Sequence, residues 1–208
     1  LVHTKLNTQN SVRVGGIFSH SEYKLSSALY SFAANSRLTF VNNEGSTWTA
    51  QAYMQWRHRF SDRLQMNTGL HFTFPEINNK FYIEPRLGME YKITETQTLS
   101  LGAGLHSRVD AISTYVSYKT PNGVLQNRQL DFSRAFHFVT GYSLSFLRDF
   151  RFKTEAYVQY LFRVPVGSDS AHRNYSIMNY NEGFVQFPLK SSGHGINYGI
   201  ELTVEKFF

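Results

Sequence analysis

The chain has no cysteine. That removes disulfide frameworks, thiolate metal sites and cysteine nucleophiles. It also lacks any run approaching the roughly 20 apolar residues that a membrane-spanning helix needs, and its mean hydropathy is −0.35. A helical membrane protein is therefore excluded. A transmembrane β-barrel is not, because only every second residue of its strands faces lipid and the signal per strand is weak. No glycine-rich phosphate loop, nucleophile elbow or pair of catalytic carboxylates occurs at identifiable positions. An enzyme is disfavoured on that reading, and no catalytic residue, cofactor or metal is assigned. The sequence begins at Leu1, with no starting methionine and no signal peptide, and reads as a mature chain or a fragment.

What the chain does have is aromatic and basic. Aromatics reach 16%, with 18 Phe and 13 Tyr, and the net charge is +6 with pI about 9.5. A basic soluble protein raises the question of nucleic-acid binding. Here Lys and Arg interleave with Glu along the same segments instead of gathering in one stripe, so no nucleic-acid partner is expected.

Strand signals dominate, and amphipathic helix patterns are absent. From Phe81 to Ile93, Phe81, Ile83, Pro85, Leu87, Met89, Tyr91 and Ile93 share one face. Tyr82, Glu84, Arg86, Gly88, Glu90 and Lys92 share the other. Strict alternation over this length exceeds the globular strand of about five or six residues and matches a tilted membrane-spanning strand. The same parity runs through Thr47–Phe60, Leu64–Phe74, Leu99–His106, His137–Phe146, Phe150–Arg163 and Ile196–Glu205. Two weaker strands, 1–8 and 11–25, bring the count to about nine. Pro85 is out of place in a central strand and predicts a bulge or local break in pairing.

The connections alternate in length. Tight turns are expected around Thr8–Ser11, Phe60–Arg63, Ile93–Thr98 and Leu147–Phe150. Long polar excursions are expected over Ser21–Ser46, Ala111–Arg134 and Pro165–Gly193, with a shorter break at Pro75–Lys80. Short turns at one end and long loops at the other are the wiring of an antiparallel transmembrane β-barrel. Phe60, Tyr91, Phe146, Phe150, Phe207 and Phe208 lie beside the short turns and fit an interfacial girdle. The competing all-β reading, a soluble sandwich with core aromatics, is disfavoured by strand length and turn asymmetry together.

The stretches FYIEPRLGMEYKITETQTLSLGAGLHSRV, AFHFVTGYSLSFLRDFRFKTEAYVQYLFRVPV and NYGIELTVEKFF resemble the barrel region of TonB-dependent outer-membrane receptors. The resemblance is to the Bacteroidetes-type subgroup that carries a carboxypeptidase-like regulatory domain. It covers Asn79–Phe208 well and the first 78 residues loosely. It implies a barrel of about 22 strands filled by a plug and importing a scarce nutrient with energy from the TonB complex. Outer-membrane lipid and lipopolysaccharide would surround such a wall, and a surface lipoprotein is a further implied partner. Residues 1–208 contain nothing resembling a plug or TonB box and too few strands to close that barrel, so the whole chain is expected to be part of a barrel domain. The alternative is a passive porin, or a barrel adhesion or assembly protein without TonB coupling.

Two sets of candidate site residues follow. In the Pro165–Gly193 excursion, Arg173, Asn174, Tyr175, Asn179, Tyr180, Asn181, Phe184 and Phe187 combine aromatic rings with amides. Such a set can bind a sugar or peptide, and self-packing of the loop is the plainer reading. On the polar face, Arg57, Arg59, Arg86, Arg151 and Lys153 alternate with Glu84, Glu90, Glu155 and Glu201. These are expected to face the lumen or a plug, with mutual compensation the reading for most single residues. His71, His106, His137 and His194 are placed on polar faces near the long loops. No local ligand spacing and no adjacent carboxylate supports a metal there, and they are read as solvated lumen histidines.

Sidedness is the most exposed expectation. A membrane-impermeant thiol reagent on intact cells should label cysteines introduced in Pro165–Gly193 and leave Ser61→Cys and Asp62→Cys unlabelled. The reverse pattern inverts the topology.

Overall fold

The computed structural model describes residues 1–147, 149–179 and 183–207. Nine strands form one antiparallel sheet in strict sequence order: β1 (Val2–Lys5), β2 (Asn10–Ser31), β3 (Ser36–Arg59), β4 (Leu64–Pro75), β5 (Tyr82–Lys92), β6 (Gln97–Arg108), β7 (Ser133–Phe146), β8 (Phe150–Gly167) and β9 (Leu189–Lys206). The described helices are one turn, α1 (Ile112–Val116), and a 3₁₀ turn at Gln126–Gln129. This is the wall of an antiparallel transmembrane β-barrel, with β1 and β9 as its edges.

Side-chain parity holds through the register. Val14 opposes Met54, Met54 opposes Leu70, Leu70 opposes Pro85, and Phe138 opposes Val158. These residues, with Phe18, Ile83, Leu101, Ile200 and Leu202, build an apolar face that is open to the surroundings. A water-facing surface of this kind would be an aggregation liability; in a bilayer it is the lipid contact. Aromatic pairs bracket it. Trp48 packs between Phe18 (5.8 Å) and Phe74 (5.7 Å) toward the long loops, while Phe146 stacks on Phe150 (5.6 Å) at the short-turn end. On β3, Trp48 and Trp56 are eight residues apart. That is about 26 Å along the strand, or about 20 Å of membrane height at a tilt of about 40°. Phe208 lies outside the described residues.

On the opposite face, three tyrosines lie across three cross-strand glycines: Tyr53 on Gly15, Tyr23 on Gly45 and Tyr157 on Gly199. A Cβ on these glycines would sit 2.6–2.8 Å from the nearest atom of the tyrosine side chain. Only glycine lets the ring lie flat against the sheet, an arrangement that helps pin register.

Several strands run beyond the bounds expected from the sequence, β8 among them, which continues to Gly167. Ser21–Ser46 is no loop. β2 and β3 run on as a hairpin, pairing from Ser21↔Thr47 to Ser31↔Ser36 through a bulge at Ser27/Ala28. A turn follows, with Asn35 at φ 45°. This hairpin rises about 40 Å of strand beyond Phe18, past the lipid-facing band; Tyr23 and Leu25 pack on one side and most of the rest is exposed, so no continuous apolar alternation marks it although the ladder continues. Likewise β9 begins at Leu189, ahead of the expected Ile196. At Pro85 the expected break is real and one-sided. Pro85 pairs with Leu70 of β4, whereas the β5–β6 ladder stops at Arg86↔Gly104.

A one-residue parity test separates the faces. In the full-length protein, Val158→Arg puts a charge in the lipid-facing band and should destabilise by about 2–4 kcal/mol, whereas Gln159→Arg on the other face should cost under about 1 kcal/mol. Denaturant unfolding in lipid vesicles reads the difference.

Candidate functional site

The long-loop end of the polar face is closed by a packed cap. Its core is Ile77, Tyr82, Tyr115, Val116, Leu130, Phe132, Val185 and Leu189, with Tyr175, Phe187, Tyr23 and Leu25 against it. Full burial of one large apolar side chain is worth about 1.5–3 kcal/mol, so this cluster outweighs any single hydrogen bond in holding the loops. Phe132 stacks on Tyr82 at 4.6 Å and 5°, and Tyr115, 0% exposed, meets Phe132 edge-on. The Tyr82 hydroxyl accepts from the Phe132 N–H (3.0 Å) and from Asn78 Nδ2 (2.8 Å). Lys80 Nζ reaches Asp131 at 2.7 Å, and Arg128 pairs with Glu76.

Asn127 joins the two long loops. It is 0% exposed. Its Nδ2 donates to the Phe187 carbonyl (3.1 Å), and its Oδ1 accepts from the Leu189 N–H (2.9 Å). Asn43 Nδ2 donates to the Val116 carbonyl (2.8 Å), tying the β2–β3 hairpin to the same unit. Burial pushes the Asp110 carboxyl above its usual range, against hydrogen bonds from Ser133 and Arg108 that lower it. The folded cap thus holds this proton more tightly than the unfolded chain does. Its contribution is full below the unfolded pKa and is lost as pH rises through the folded one. Burial and the nearby Asp110 charge also push the Tyr115 hydroxyl up, keeping it neutral.

Below the cap, Glu84 is the hub of a polar network. It is 3% exposed. His71 Nδ1 lies 3.1 Å and Arg86 Nη2 2.8 Å from Glu84 Oε2, while Oε1 accepts from the Ser107 N–H at 2.9 Å. That last contact satisfies a β6 donor just where the ladder ends at Pro85. The His106 and His137 rings stand 4.6 Å apart beside this network. Glu84 thus corrects the expectation that no carboxylate adjoins the histidines. His194 is also corrected: it shares parity with Ile196, on the apolar side, and does not join the others. No group of three or more metal-binding side chains occurs among the described residues.

The other candidates divide. Arg57 Nη2 donates to Gln65 Oε1 (2.6 Å) and Gln65 Nε2 donates to Glu90 Oε2 (2.9 Å). Arg151 faces Glu205 (3.8 Å) and Lys153 faces Glu155 (2.5 Å). Glu201 sits opposite Glu155 in register, and Arg59 is exposed. In the Pro165–Gly193 loop, Phe187 stacks on His172 at 3.8 Å and meets Tyr175 edge-on at 4.9 Å. Both rings serve the cap. Arg173, Asn174 and Asn179 remain exposed and Phe184 is half-buried. Tyr180 and Asn181 lie outside the described residues. The sequence reading missed Asn127, Tyr115 and Asp110. Parity did place Tyr82 on the correct face, but nothing periodic marks the single turn that carries Tyr115.

No family model matches the sequence, and neither does any curated protein. Solved structures do match in fold. The siderophore receptor PirA from Pseudomonas aeruginosa has a TM-score of 0.68 at 12% identity, over 96% of this chain and 34% of that one. PirA from Acinetobacter baumannii has a TM-score of 0.71 at 11% identity, over 98% and 32%. The FrpB iron transporter of Neisseria meningitidis has a TM-score of 0.67 at 14% identity, over 99% and 33%. The chain spans about a third of the length of each, and it shares the fold of a sector of their barrel wall.

If Asn127 staples the loops, Asn127→Ala should leave the Leu189 N–H and Phe187 carbonyl unpaired and destabilise the cap by about 2–4 kcal/mol. The measurement is limited proteolysis of 168–188 in the full-length protein, which should accelerate while the transmembrane strands stay protected.

Proposed function

We propose that this chain is part of the wall of a TonB-dependent receptor in the bacterial outer membrane, importing a nutrient captured at the long-loop end. The observation that carries this reading is the combination of a lipid-facing apolar band, a charged opposite face and a pre-packed cap over one mouth. Its structural neighbours by name are receptors and transporters of siderophores, iron and copper. A passive porin requires an open passage; a capped mouth favours capture and gated release. In this reading the lumen is filled by a plug from elsewhere in the same protein, and the short-turn end faces the TonB complex. Lipopolysaccharide meets the upper aromatics, and a surface lipoprotein is a candidate partner above the cap. Membership of the Bacteroidetes-type subgroup with its carboxypeptidase-like domain belongs to the same proposal.

The ligand contacts proposed are the side chains the cap leaves free: Arg173, Asn174, Asn179 and Phe184, with Tyr180 beside them in sequence. Tyr175 and Phe187 act behind them, fixing the loop. Cells expressing the full-length protein should accumulate one member of a panel of ferric chelates, copper and oligosaccharides, and lose accumulation when TonB is deleted. Arg173→Ala with Asn179→Ala should weaken binding about tenfold, about 1.4 kcal/mol, without changing unfolding. Uptake that survives loss of TonB refutes the coupled reading in favour of a porin.

A further inference from the structure

Between Ser46 and Ser36, β3 has a strand on one side only. The Arg59 N–H donates to the Gln9 carbonyl and the Glu76 N–H to the Trp48 carbonyl. Odd residues of β3 thus bond toward β2 and even residues toward β4. β4 ends at Pro75, where the chain crosses to β5, whereas β3 stays paired with β2 out to Ser36. Asn42, Glu44 and Ser46 therefore turn their main-chain groups to a side where the next strand has stopped. All three residues are exposed, and among the described residues those groups have no hydrogen-bond partner.

The cap stands across from this edge. Asn43 Nδ2 holds the Val116 carbonyl, and beside that bond lies a recess of about 310 Å³ bounded by 39–43, 116–119 and Gln186. Ser117, 8% exposed, contributes a buried hydroxyl with no hydrogen-bond partner to its wall. Lys119 and Gln186 bring further donors to the lining.

We propose that the edge of β3 at 42–46 binds an extended nutrient peptide by strand addition, a proposal that names the substrate class of the uptake reading above and rests on it. Unpaired N–H and C=O groups at every second residue, about 6–7 Å apart, match the main chain of another strand. A chelate or a sugar offers no such repeat. An added strand sends alternate side chains to the cap side, and the recess there suits an Asp or Glu between Lys119 and the Ser117 hydroxyl. The edge residues are hydrophilic, which fits an occupant that comes and goes, since permanent interfaces are more apolar.

The test uses the full-length protein in detergent and two pools of pentapeptides with Asp at the centre and random residues elsewhere. One pool is ordinary and the other is N-methylated at every residue; retained peptides are read by mass spectrometry. The ordinary pool should be retained at least about tenfold better. Its retention should fall at least about tenfold in Glu44→Pro, which removes one edge N–H and no β2–β3 bond, and persist in Glu44→Ala. Equal retention of the two pools, or undiminished retention by Glu44→Pro, overturns the proposal. Benzoylphenylalanine at Asn42 should crosslink to the retained peptides; an adduct to a segment of the protein itself overturns the proposal. Retention of neither pool does the same, and TonB-dependent accumulation of a non-peptide nutrient then leaves the uptake reading standing.

Discussion

The structure depends on the obligation to pair every backbone N–H and C=O that enters hydrocarbon. An unpaired amide there costs several kcal/mol, and strands can meet the obligation only laterally. The lateral pairing of every strand from β1 to β9 follows from it, and so does the treatment of exceptions. Where Pro85 ends pairing between β5 and β6, the Ser107 N–H is taken by the Glu84 carboxylate. Glu84 is therefore at once a backbone substitute and the centre of a charged network, which explains why a carboxylate so deeply buried is tolerated.

The two ends of the polar face follow different physics. Toward the long loops, aromatic burial and the Asn127 side chain make a dry, preorganised cap. Toward the short turns, charged side chains are solvated and pair singly, as Arg57 does with Gln65 and Arg151 with Glu205. The first arrangement is dry and held by packing, while the second is wet and held by exposed polar contacts.

Much of the wall was legible because lipid on one side and water on the other force a period of two. Phe81–Ile93 and Phe150–Arg163 declare that period in their side chains. Legibility failed where the two-sided environment ended. In the β2–β3 hairpin beyond the lipid-facing band, serines and asparagines interrupt the apolar alternation, and the paired stretch from Ser21↔Thr47 to Ser31↔Ser36 was read as a loop. The cap was hidden for a related reason. Tyr82, Tyr115 and Leu189 come together from segments distant along the chain, and no local spacing encodes their meeting. Among site candidates, parity found Glu84, Arg86 and Arg57 but could not show that Glu84 is buried or that Arg59 is exposed.

The strict meander has a consequence for assembly. Each strand pairs only with its sequence neighbours, so the wall can be laid down one hairpin at a time, and no pairing waits on a distant segment. The cap is different. It joins the β2–β3 hairpin, the 76–82 segment, the 109–132 segment and the start of β9, so it closes only after the strands from β2 to β9 are in place. Folding therefore runs from a zipper to a latch, and until the latch closes the growing edge is an adhesive template for whatever strand arrives next.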